Sequence, residues 1–480
     1  MEFFKKNTQI ANVSTATIIA IYLFRLSDKL FPNNYQQDDV AELEPTYFET
    51  FLCAFTWGDQ HPLFSGLVWV ASEYFINVEI IISTSIVLFG VCSLILLQKI
   101  LQEEFDQNTA IVCTFLLAFS PIFNTYSIAL KQYNFELFCS LLCLSLIQDF
   151  EKGKIVKLRN TIYFFVLFLL SFANLVSISG LIAYIFFKKV HFDKKIFLFF
   201  LVVVGIFGNG VISKVSRVVY GGYWDNFFIK FDSVSEFLNS FIFLNTLLMS
   251  SIVSVNLSIY LLIFFFASVI FSFFYRNQLI MFSLLMLFIF YGMSSLNLYP
   301  LGGGRTDLLF LPFCLIIISN LLKFILNKVE NNTVKTSLVI IATFFIVLTS
   351  SPIYYKSEKI DPIIDLLSVY YNNPDYLIIV TEEQSHSFLY YSNKELNRDY
   401  SSKNCGVVYD ISNLIIQIDG EDLNEIPTQK DVFLAGIELP GTEGQLRIVE
   451  KQLIENEYNL ISETTFDDGM KLLQFKMRDS

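Results

Sequence analysis

The stretch "IVSVNLSIYLLIFFFASVIFSFFY", residues Ile252–Tyr275, decides the fold of this protein. It holds no charged side chain, and phenylalanine, isoleucine and leucine dominate it. An α-helix needs about 20 consecutive apolar residues to cross the hydrocarbon core of a bilayer. The stretch therefore predicts a helix that spans a membrane.

Similar apolar runs recur along the chain as far as residue 351. Hydrophobic residues make up 54% of the sequence and charged residues 16%, whereas a soluble domain carries about 25% charged residues. We therefore predict a mainly α, polytopic membrane protein with about eleven transmembrane helices. The predicted spans are residues 10–27, 79–98, 109–129, 132–149, 160–176, 178–190, 195–212, 252–275, 277–293, 306–325 and 336–351. The net charge of −12 provides no basic face for phosphates, which excludes nucleic acid as a partner.

The cysteines predict neither a disulfide framework nor a CxxC metal site. Five of the seven lie in apolar runs and are predicted to be small buried residues: Cys92, Cys113, Cys139, Cys143 and Cys314. Only Cys53 and Cys405 lie in polar segments, and two isolated cysteines give no recognisable ligand spacing.

The basic residues predict which way the helices run. Lys5 and Lys6 precede the first span, and no small-residue cleavage site follows it, which is typical of a retained signal anchor. With the N-terminus inside, fifteen basic residues fall in inner loops and seven in outer segments before residue 352. This bias agrees with the positive-inside rule. Eleven spans then place the C-terminus outside.

From residue 352 onward the sequence is typical of a soluble domain. Short strands are predicted at "YLIIV" (Tyr376–Val380), "CGVVYD" (405–410), "DVFLAG" (431–436) and "KLLQFK" (471–476). The stretch "QLRIVEKQLIENE" has helical periodicity, with one apolar stripe formed by Leu446, Val449, Leu453 and Ile454. Strands that alternate with a helix predict a small α/β domain. We therefore predict a transmembrane domain at residues 1–351 and an extracytoplasmic α/β domain at residues 352–480.

An acidic pair lies in the first predicted outer segment. "NNYQQDDVAELE" (Asn33–Glu44) contains Asp38 and Asp39. One interpretation is an N-terminal cap on an interfacial helix. The other is a carboxylate that accepts a proton from a substrate hydroxyl or helps to hold a divalent cation, which makes both residues candidate metal ligands.

A histidine-proline pair follows in "GDQHPLFSGLVWV" (Gly58–Val70). Pro62 is well suited to the first turn of a helix, which places His61 at the membrane interface. A histidine there serves either as a capping or packing residue or as a substrate contact. Both interpretations remain open at the level of the sequence.

A third outer segment, "ALKQYNFELF" (Ala129–Phe138), opens a predicted span. Tyr133 and Glu136 are three residues apart and share a helix face. Glu136 lies inside the apolar stretch, where an unpaired carboxylate is strongly unfavourable. It therefore needs a partner, such as Lys131, or a water-filled cavity.

The segment "YPLGGGRTDLLFLP" (Tyr299–Pro312) precedes and opens another span. The glycines, among them Gly303 and Gly304, allow backbone N–H groups to turn toward an anion, and the following helix start adds its dipole. Arg305 supplies a bidentate phosphate contact. The segment is typical either of a site for a lipid phosphate or of a flexible loop.

Taken in order, these motifs resemble those of the GT-C integral membrane glycosyltransferases. The resemblance is to the protein-mannosyltransferase and aminoarabinose-transferase-like group and covers about residues 1–350. Asp38 matches the acidic residue thought to be catalytic, and Asp39 stands where glutamate is usual. Glu136 stands where aspartate is usual. The remaining matches are His61-Pro62-Leu63, Lys131 with Tyr133, and Arg305 of the glycine-rich loop.

The resemblance implies a membrane glycosyltransferase, with residues 1–351 as the catalytic domain, in the inner membrane of a bacterium. The implied donor is a polyprenyl-phosphate-linked sugar, and the implied acceptor is a lipid, glycan or protein of the cell envelope. Asp38 and Asp39 are then the expected catalytic residues, and the other matched residues bind substrate. A divalent metal ion is a further expectation. The alternatives are a polysaccharide polymerase or ligase, and a transporter, although the internal repeats typical of transporters are not visible.

Overall fold

A computed structural model describes most of the helical part of the chain and much of its C-terminal sheet. The described residues are 2–27, 62–75, 77–151, 180, 184, 225–302, 307–350, 363, 366, 367, 370, 375–381, 414–417, 431–437, 445–465 and 470–477. The chain divides into two compact units. The first comprises Met1–Leu30, Gly58–Phe64 and Glu79–Tyr355, and the second comprises the remaining residues.

The described helices before residue 351 follow the predicted apolar runs closely. They are α1 (Glu2–Leu26), α2 (Pro62–Tyr74), α3 (Val78–Glu104), α4 (Gln107–Ala118), α5 (Pro121–Ile128), α6 (Tyr133–Glu151), α7 (Val234–Ile252), α8 (Val255–Phe274), α9 (Gln278–Ser295), α10 (Asp307–Asn327) and α11 (Asn332–Thr349). Five of them, α3 and α8 to α11, are long and apolar enough to cross a membrane, and α4 with α5 makes a sixth if the pair is one bent span. The spans predicted at 160–176, 178–190 and 195–212 lie outside the described residues, apart from positions 180 and 184.

The predicted span 109–129 is broken in the structure. Helices α4 and α5 meet at an angle of 54°. Pro121 opens α5, where its missing N–H leaves no hydrogen bond unmade, and Ser120 Oγ accepts a hydrogen bond from the Phe123 N–H. The Asn124 side chain donates to the carbonyls of Ala118 and Ser120 at 3.1 and 2.7 Å. The carbonyl groups of Ala118 and Ser120, at the break, therefore find hydrogen-bond donors within the helix pair itself.

The sequence predicts no span between residues 212 and 252, and hence a long outer loop at residues 213–251. Helix α7 (Val234–Ile252) occupies residues 234–251 of that region, so the prediction of a loop is wrong there. Ser233 caps the helix by accepting a hydrogen bond from the Glu236 N–H. One face, including Leu244 and Leu248, is buried, whereas Leu238 and Phe243 are exposed. Interspersed serine, asparagine and threonine residues lower the hydropathy of this segment, so a search for continuous apolar runs misses it.

Helix α10 lies at the centre of the first unit, and α11 lies at its edge. In the apolar window of α10, 72% of the residues are buried, against 6% in α11. Polar side chains join α10 to its neighbours. Ser140 of α6 donates to the Leu309 carbonyl, and Asn320 of α10 donates to Ser272 of α8. Such interhelical hydrogen bonds, together with close packing, hold helices together where water is absent.

A second polar contact joins four helices around Gly90 of α3. Tyr22 of α1 donates a hydrogen bond to Ser127 of α5 at 2.6 Å. Asn134 of α6 donates to the same hydroxyl at 3.1 Å and to the Ile86 carbonyl of α3 at 3.3 Å. A Cβ atom built on Gly90 would lie 2.6 Å from the Tyr22 hydroxyl. Glycine is therefore required at position 90, because the Tyr22 hydroxyl lies too close to the backbone for a Cβ atom to fit.

The second unit contains the predicted small α/β fold. Its strands are β1 (Tyr376–Thr381), β2 (Leu414–Gln417), β3 (Asp431–Ile437), β4 (Tyr458–Thr465) and β5 (Met470–Met477), in the sheet order β2-β1-β3-β5-β4. Strands β2, β1 and β3 are parallel, and β5 is antiparallel to both β3 and β4. The predicted strands at 376, 431 and 471 are confirmed, and the one at 405–410 lies outside the described residues. Strands β2 and β4 were not predicted.

Helix α12 (Gln445–Glu455) packs on this sheet as its apolar stripe predicts. Leu446, Val449 and Leu453 are buried in one cluster with side chains of β1, β3 and β5. Ile454 is 45% exposed, so its assignment to the buried stripe is wrong. It lies next to Leu453 in sequence and is rotated away from the sheet. Cys92 is likewise exposed, whereas Cys113, Cys139, Cys143 and Cys314 are buried as predicted.

We expect Gly90→Ala to destabilise the helical unit. Its new Cβ would lie 2.6 Å from the Tyr22 hydroxyl and 3.1 Å from Asn134 Nδ2, and Tyr22 cannot move without breaking its hydrogen bond to Ser127. Overpacking of this kind costs about 1–3 kcal/mol. Gly292→Ala is the matched control, because nothing lies within 4 Å of its added Cβ. Thermal unfolding in detergent should show a lower Tm for Gly90→Ala alone. Equal Tm values would show that the helices relax around Gly90.

Candidate active site

The start of helix α6 places three of the predicted site residues together. Lys131 lies in the turn before the helix, Tyr133 is the first residue of α6, and Glu136 lies in its first turn. Lys131 is 8% exposed and Glu136 is 3% exposed. The positive end of the helix dipole favours a carboxylate at this position. Two oppositely charged side chains are therefore buried within six residues of each other.

The start of helix α10 carries a second buried carboxylate, Asp307, which is 2% exposed. Its Oδ1 accepts a hydrogen bond from the Gly302 N–H at 2.9 Å. Its Oδ2 accepts one from the Ser251 hydroxyl, at the end of α7, at 3.1 Å. Hydrogen bonds to an ionised acceptor are stronger than neutral ones. The carboxylate therefore joins the end of α7, the loop before α10 and the start of α10.

Tyr299 connects the two carboxylates electrostatically. Burial raises the pKa of its phenol well above the usual value, and the negative charges of Glu136 and Asp307, and then Tyr133, raise that pKa further. Its ring packs edge-on against Phe290 of α9, with the centroids 5.1 Å apart. The phenol therefore stays protonated and can act as a hydrogen-bond donor.

Two hydrogen bonds to residues 227–229 hold the loop that carries Tyr299 and the end of α9 that precedes it. The Leu301 N–H donates to the Phe227 carbonyl at 2.8 Å, and the Ile229 N–H donates to the Ser294 hydroxyl at 3.3 Å. Three segments that lie between predicted spans or open one thus meet here: the one that carries Tyr133 and Glu136, the one that carries Phe227 and Ile229, and the one that carries Tyr299 and Leu301. Their convergence is a property of the described structure.

Gly302 is held tightly against α7. Its φ angle is +71°, a left-handed conformation that glycine adopts without steric strain. A Cβ atom there would lie 2.9 Å from the Leu247 Cβ and 3.0 Å from the Leu244 carbonyl oxygen. The first glycine of "GGGR" is therefore needed both for its backbone conformation and for its close contact with a helix.

The other predicted site residues lie outside the described part of the chain. These are Asp38, Asp39, His61, Gly303, Gly304 and Arg305. Their sites remain predictions from the sequence.

Asp307, Tyr299 and Ser251 belong to this cluster but were not predicted as site residues. Asp307 could have been predicted from the sequence, because an uncompensated carboxylate at the start of an apolar span is unfavourable for the same reason as Glu136. Ser251 could not, since its contact with Asp307 spans 56 residues of sequence. Gln132, next to Lys131, was also missed, and its buried Oε1 has no hydrogen-bond partner in the described structure.

The described residues do not form a metal centre. No group of three or more His, Cys, Asp or Glu side chains among them could hold a metal ion. The donor set of the described residues therefore does not fit a resident metal.

The fold places the chain among mainly helical integral membrane proteins with a GT-C-like architecture. Among solved structures, it is similar to the crystal structure of the Archaeoglobus fulgidus oligosaccharyltransferase, determined in complex with Zn and sulfate. The two share a TM-score of 0.50 at 14% sequence identity. The alignment covers 79% of this chain and 61% of that one, so the chain spans less than two thirds of that protein's length.

This similarity confirms the predicted fold class, and at such identity it is a similarity of fold. The narrower resemblance to the protein-mannosyltransferase and aminoarabinose-transferase-like group stays a prediction. No family model matches the sequence, and no curated protein matches it significantly. Function must therefore be argued from the residues of the site.

Proposed function

We propose that the protein is a membrane glycosyltransferase that moves a sugar from a polyprenyl-phosphate donor to a cell-envelope acceptor. The observation that carries the proposal is that the buried carboxylates of Glu136 and Asp307, at the starts of α6 and α10, both act on the buried phenol of Tyr299, with buried Lys131 five residues before Glu136, in a chain with a GT-C-like fold. Charged and polar side chains at such depth usually mark a pathway or a site.

Arg305 and Lys131 would stabilise the leaving phosphate of the donor. In glycosyl transfer from a lipid phosphate, the bond between the sugar and the phosphate oxygen breaks, and negative charge develops on that oxygen. Cations held in a water-poor site stabilise such charge strongly. Lys131 is already buried beside α6, and Arg305 lies two residues before the start of α10. Apolar helix surfaces would hold the lipid chain of the donor.

Asp38 would act on the acceptor. The acceptor hydroxyl must lose its proton as it attacks the sugar carbon, and a carboxylate within hydrogen-bond reach accepts it. Asp39 would orient or cap, and His61 would contact substrate at the mouth of the site. Tyr133, Glu136, Gly303 and Gly304 would complete the donor site. The family resemblance also implies a divalent ion, which Asp38 and Asp39 would hold. No step proposed above depends on that ion.

The reaction is proposed to occur on the outer face of a bacterial inner membrane. The excess of basic residues in the predicted inner loops supports this orientation. It assigns residues 1–351 as the catalytic domain and residues 352–480 as an extracytoplasmic domain.

The orientation predicts the outcome of a reporter experiment. A reporter that is active only outside the cytoplasm should be active when it is fused after Ser351 and inactive when it is fused after Lys157. The two fusions serve as controls for each other, because both must be expressed at similar levels. The reverse pattern would place the candidate site on the inner face and contradict an extracytoplasmic acceptor.

Arg305→Ala should lower transfer through loss of phosphate contacts. The expected loss is about 2–4 kcal/mol in transition-state stabilisation, by analogy with removal of one charge-stabilising group. Arg305→Lys should recover only part of it, because an ammonium cannot reproduce the planar guanidinium fork. The measurement is transfer from a synthetic polyprenyl-phosphate sugar in liposomes. Near-normal activity in both variants would make the glycine-rich segment a structural loop.

Asp38→Asn should reduce transfer by on the order of 10²-fold or more, the usual effect of an acid–base group. The amide keeps the size of the side chain but cannot take the proton. Asp39→Asn is the matched control and should be milder, since an orienting contact survives amidation in part. Both proteins should still insert and purify. If Asp38→Asn transfers sugar at the wild-type rate, Asp38 is not a catalytic residue. If the wild-type protein moves the lipid-linked sugar across the bilayer without transferring it, the alternative of a transporter is supported.

A further inference from the structure

Gln132 is the residue directly before helix α6, and its side-chain oxygen is buried without a hydrogen-bond donor. The residue is 6% exposed, and its Oε1 has no partner in the described structure. A buried acceptor that no group donates to is unfavourable. Such atoms are rare in native proteins, so each one requires an explanation.

Helix capping does not explain this glutamine. The backbone carbonyl of Gln132 accepts hydrogen bonds from the N–H groups of Phe135 at 2.9 Å and Glu136 at 3.3 Å, so Gln132 occupies the N-cap position of α6. A side chain at this position normally accepts a hydrogen bond from an N–H of the first turn. The Oε1 of Gln132 accepts none.

The backbone contacts also show where the oxygen lies. A glutamine side chain keeps Oε1 within about 5 Å of its own Cα, because only four bonds separate the two atoms. The oxygen is therefore at the N-terminal end of α6, together with buried Lys131 and Glu136. The positive end of the helix dipole favours an oxygen there. The buried acceptor thus belongs to the candidate site itself.

Other buried amide side chains near this site have structural roles that Gln132 lacks. The oxygens of Asn124 and Asn134 are likewise without a partner. However, the Asn124 Nδ2 donates to carbonyls at the break between α4 and α5, and the Asn134 Nδ2 donates to the Ile86 carbonyl of α3. The Gln132 side chain makes no such contact with the described helices.

We propose that Gln132 Oε1 accepts a hydrogen bond from a hydroxyl group of the donor sugar and so selects which sugar is transferred. The inference rests on the proposed function. The sugar of such a donor is bonded directly to the phosphate, so a residue next to Lys131, which would hold the phosphate, is close to the sugar hydroxyls. A buried acceptor discriminates against a substrate that lacks the matching hydroxyl, because the acceptor then stays unpaired.

Thermal unfolding tests whether Gln132 has a structural role. Gln132→Met removes the acceptor at similar side-chain size, and its Tm in detergent without substrate should equal or exceed that of wild type, since no hydrogen bond of Oε1 is lost. Gln148 of α6 is the matched control. It is 4% exposed, and its Nε2 donates to the Ile100 carbonyl at 2.9 Å. Gln148→Met should therefore lower the Tm. A Tm of Gln132→Met below that of wild type would overturn the proposal.

Sugar selectivity tests the proposed contact directly. The measurement is kcat/KM of transfer in liposomes from synthetic polyprenyl-phosphate hexoses and pentoses, each compared with its monodeoxy analogues. Wild type should prefer the intact sugar over one analogue by on the order of tenfold, and Gln132→Met should lose this preference. The same preference in both proteins would show that the oxygen binds no sugar hydroxyl and would overturn the proposal.

Gln98→Met controls for the loss of a buried glutamine elsewhere. Gln98 is 1% exposed, and both of its amide atoms lack a partner in the described structure. It lies near the end of α3, where the Glu104 carbonyl accepts from Lys323, about 24 Å along α10 from Asp307. This variant should keep the wild-type preference.

The remaining outcomes separate the inference from the proposed function. Loss of the preference in Gln98→Met as well would show a general effect of packing and would overturn the role of Gln132. If wild type transfers no sugar from any donor, the proposed function fails, and the inference fails with it. If wild type transfers sugar with a preference that Gln132→Met retains, the inference alone fails.

Discussion

The carboxylate of Asp307 is buried where the end of α7, the loop after α9 and the start of α10 meet, and the neighbouring structure is arranged around it. A buried charge is strongly unfavourable unless hydrogen bonds and nearby dipoles compensate it. Here Gly302 and Ser251 supply the hydrogen bonds. The requirement to satisfy one side chain therefore fixes the relative positions of two helices and of the loop that leads to Arg305.

Hydrogen bonds between helices act in the same way elsewhere in the helical unit. Apolar side chains give little reason for one helix register over another, because lipid tails and leucine side chains are similar environments. The hydroxyl of Ser127 accepts from Tyr22 and from Asn134, and Asn320 binds the Ser272 hydroxyl. These few polar contacts specify which faces meet. They explain how a chain so rich in interchangeable apolar residues can adopt one arrangement.

Hydropathy predicted the helices well because length and apolarity are local properties of the sequence. It failed where a decisive property was not local. Helix α7 was missed because serine, asparagine and threonine residues interrupt its apolar runs, and strand β4, exposed along most of its length, lacks a continuous apolar pattern. Glu136 was recognisable as a charge inside an apolar run. The bond between Ser251 and Asp307 joins residues 56 positions apart, and no pattern in a single sequence reveals such a pair.

The charges of the cluster also separate the proposed roles of its members. Glu136 and Asp307 both act on the Tyr299 hydroxyl and raise its pKa, so they create a negative potential at the starts of α6 and α10. A donor phosphate placed directly against them would be repelled. Under the proposed function, cations such as Lys131 are therefore needed to offset these carboxylates where the phosphate binds. The buried acids then orient cations and hold a neutral phenol, which leaves the proton of the acceptor hydroxyl to a carboxylate from a different segment of the chain, such as Asp38.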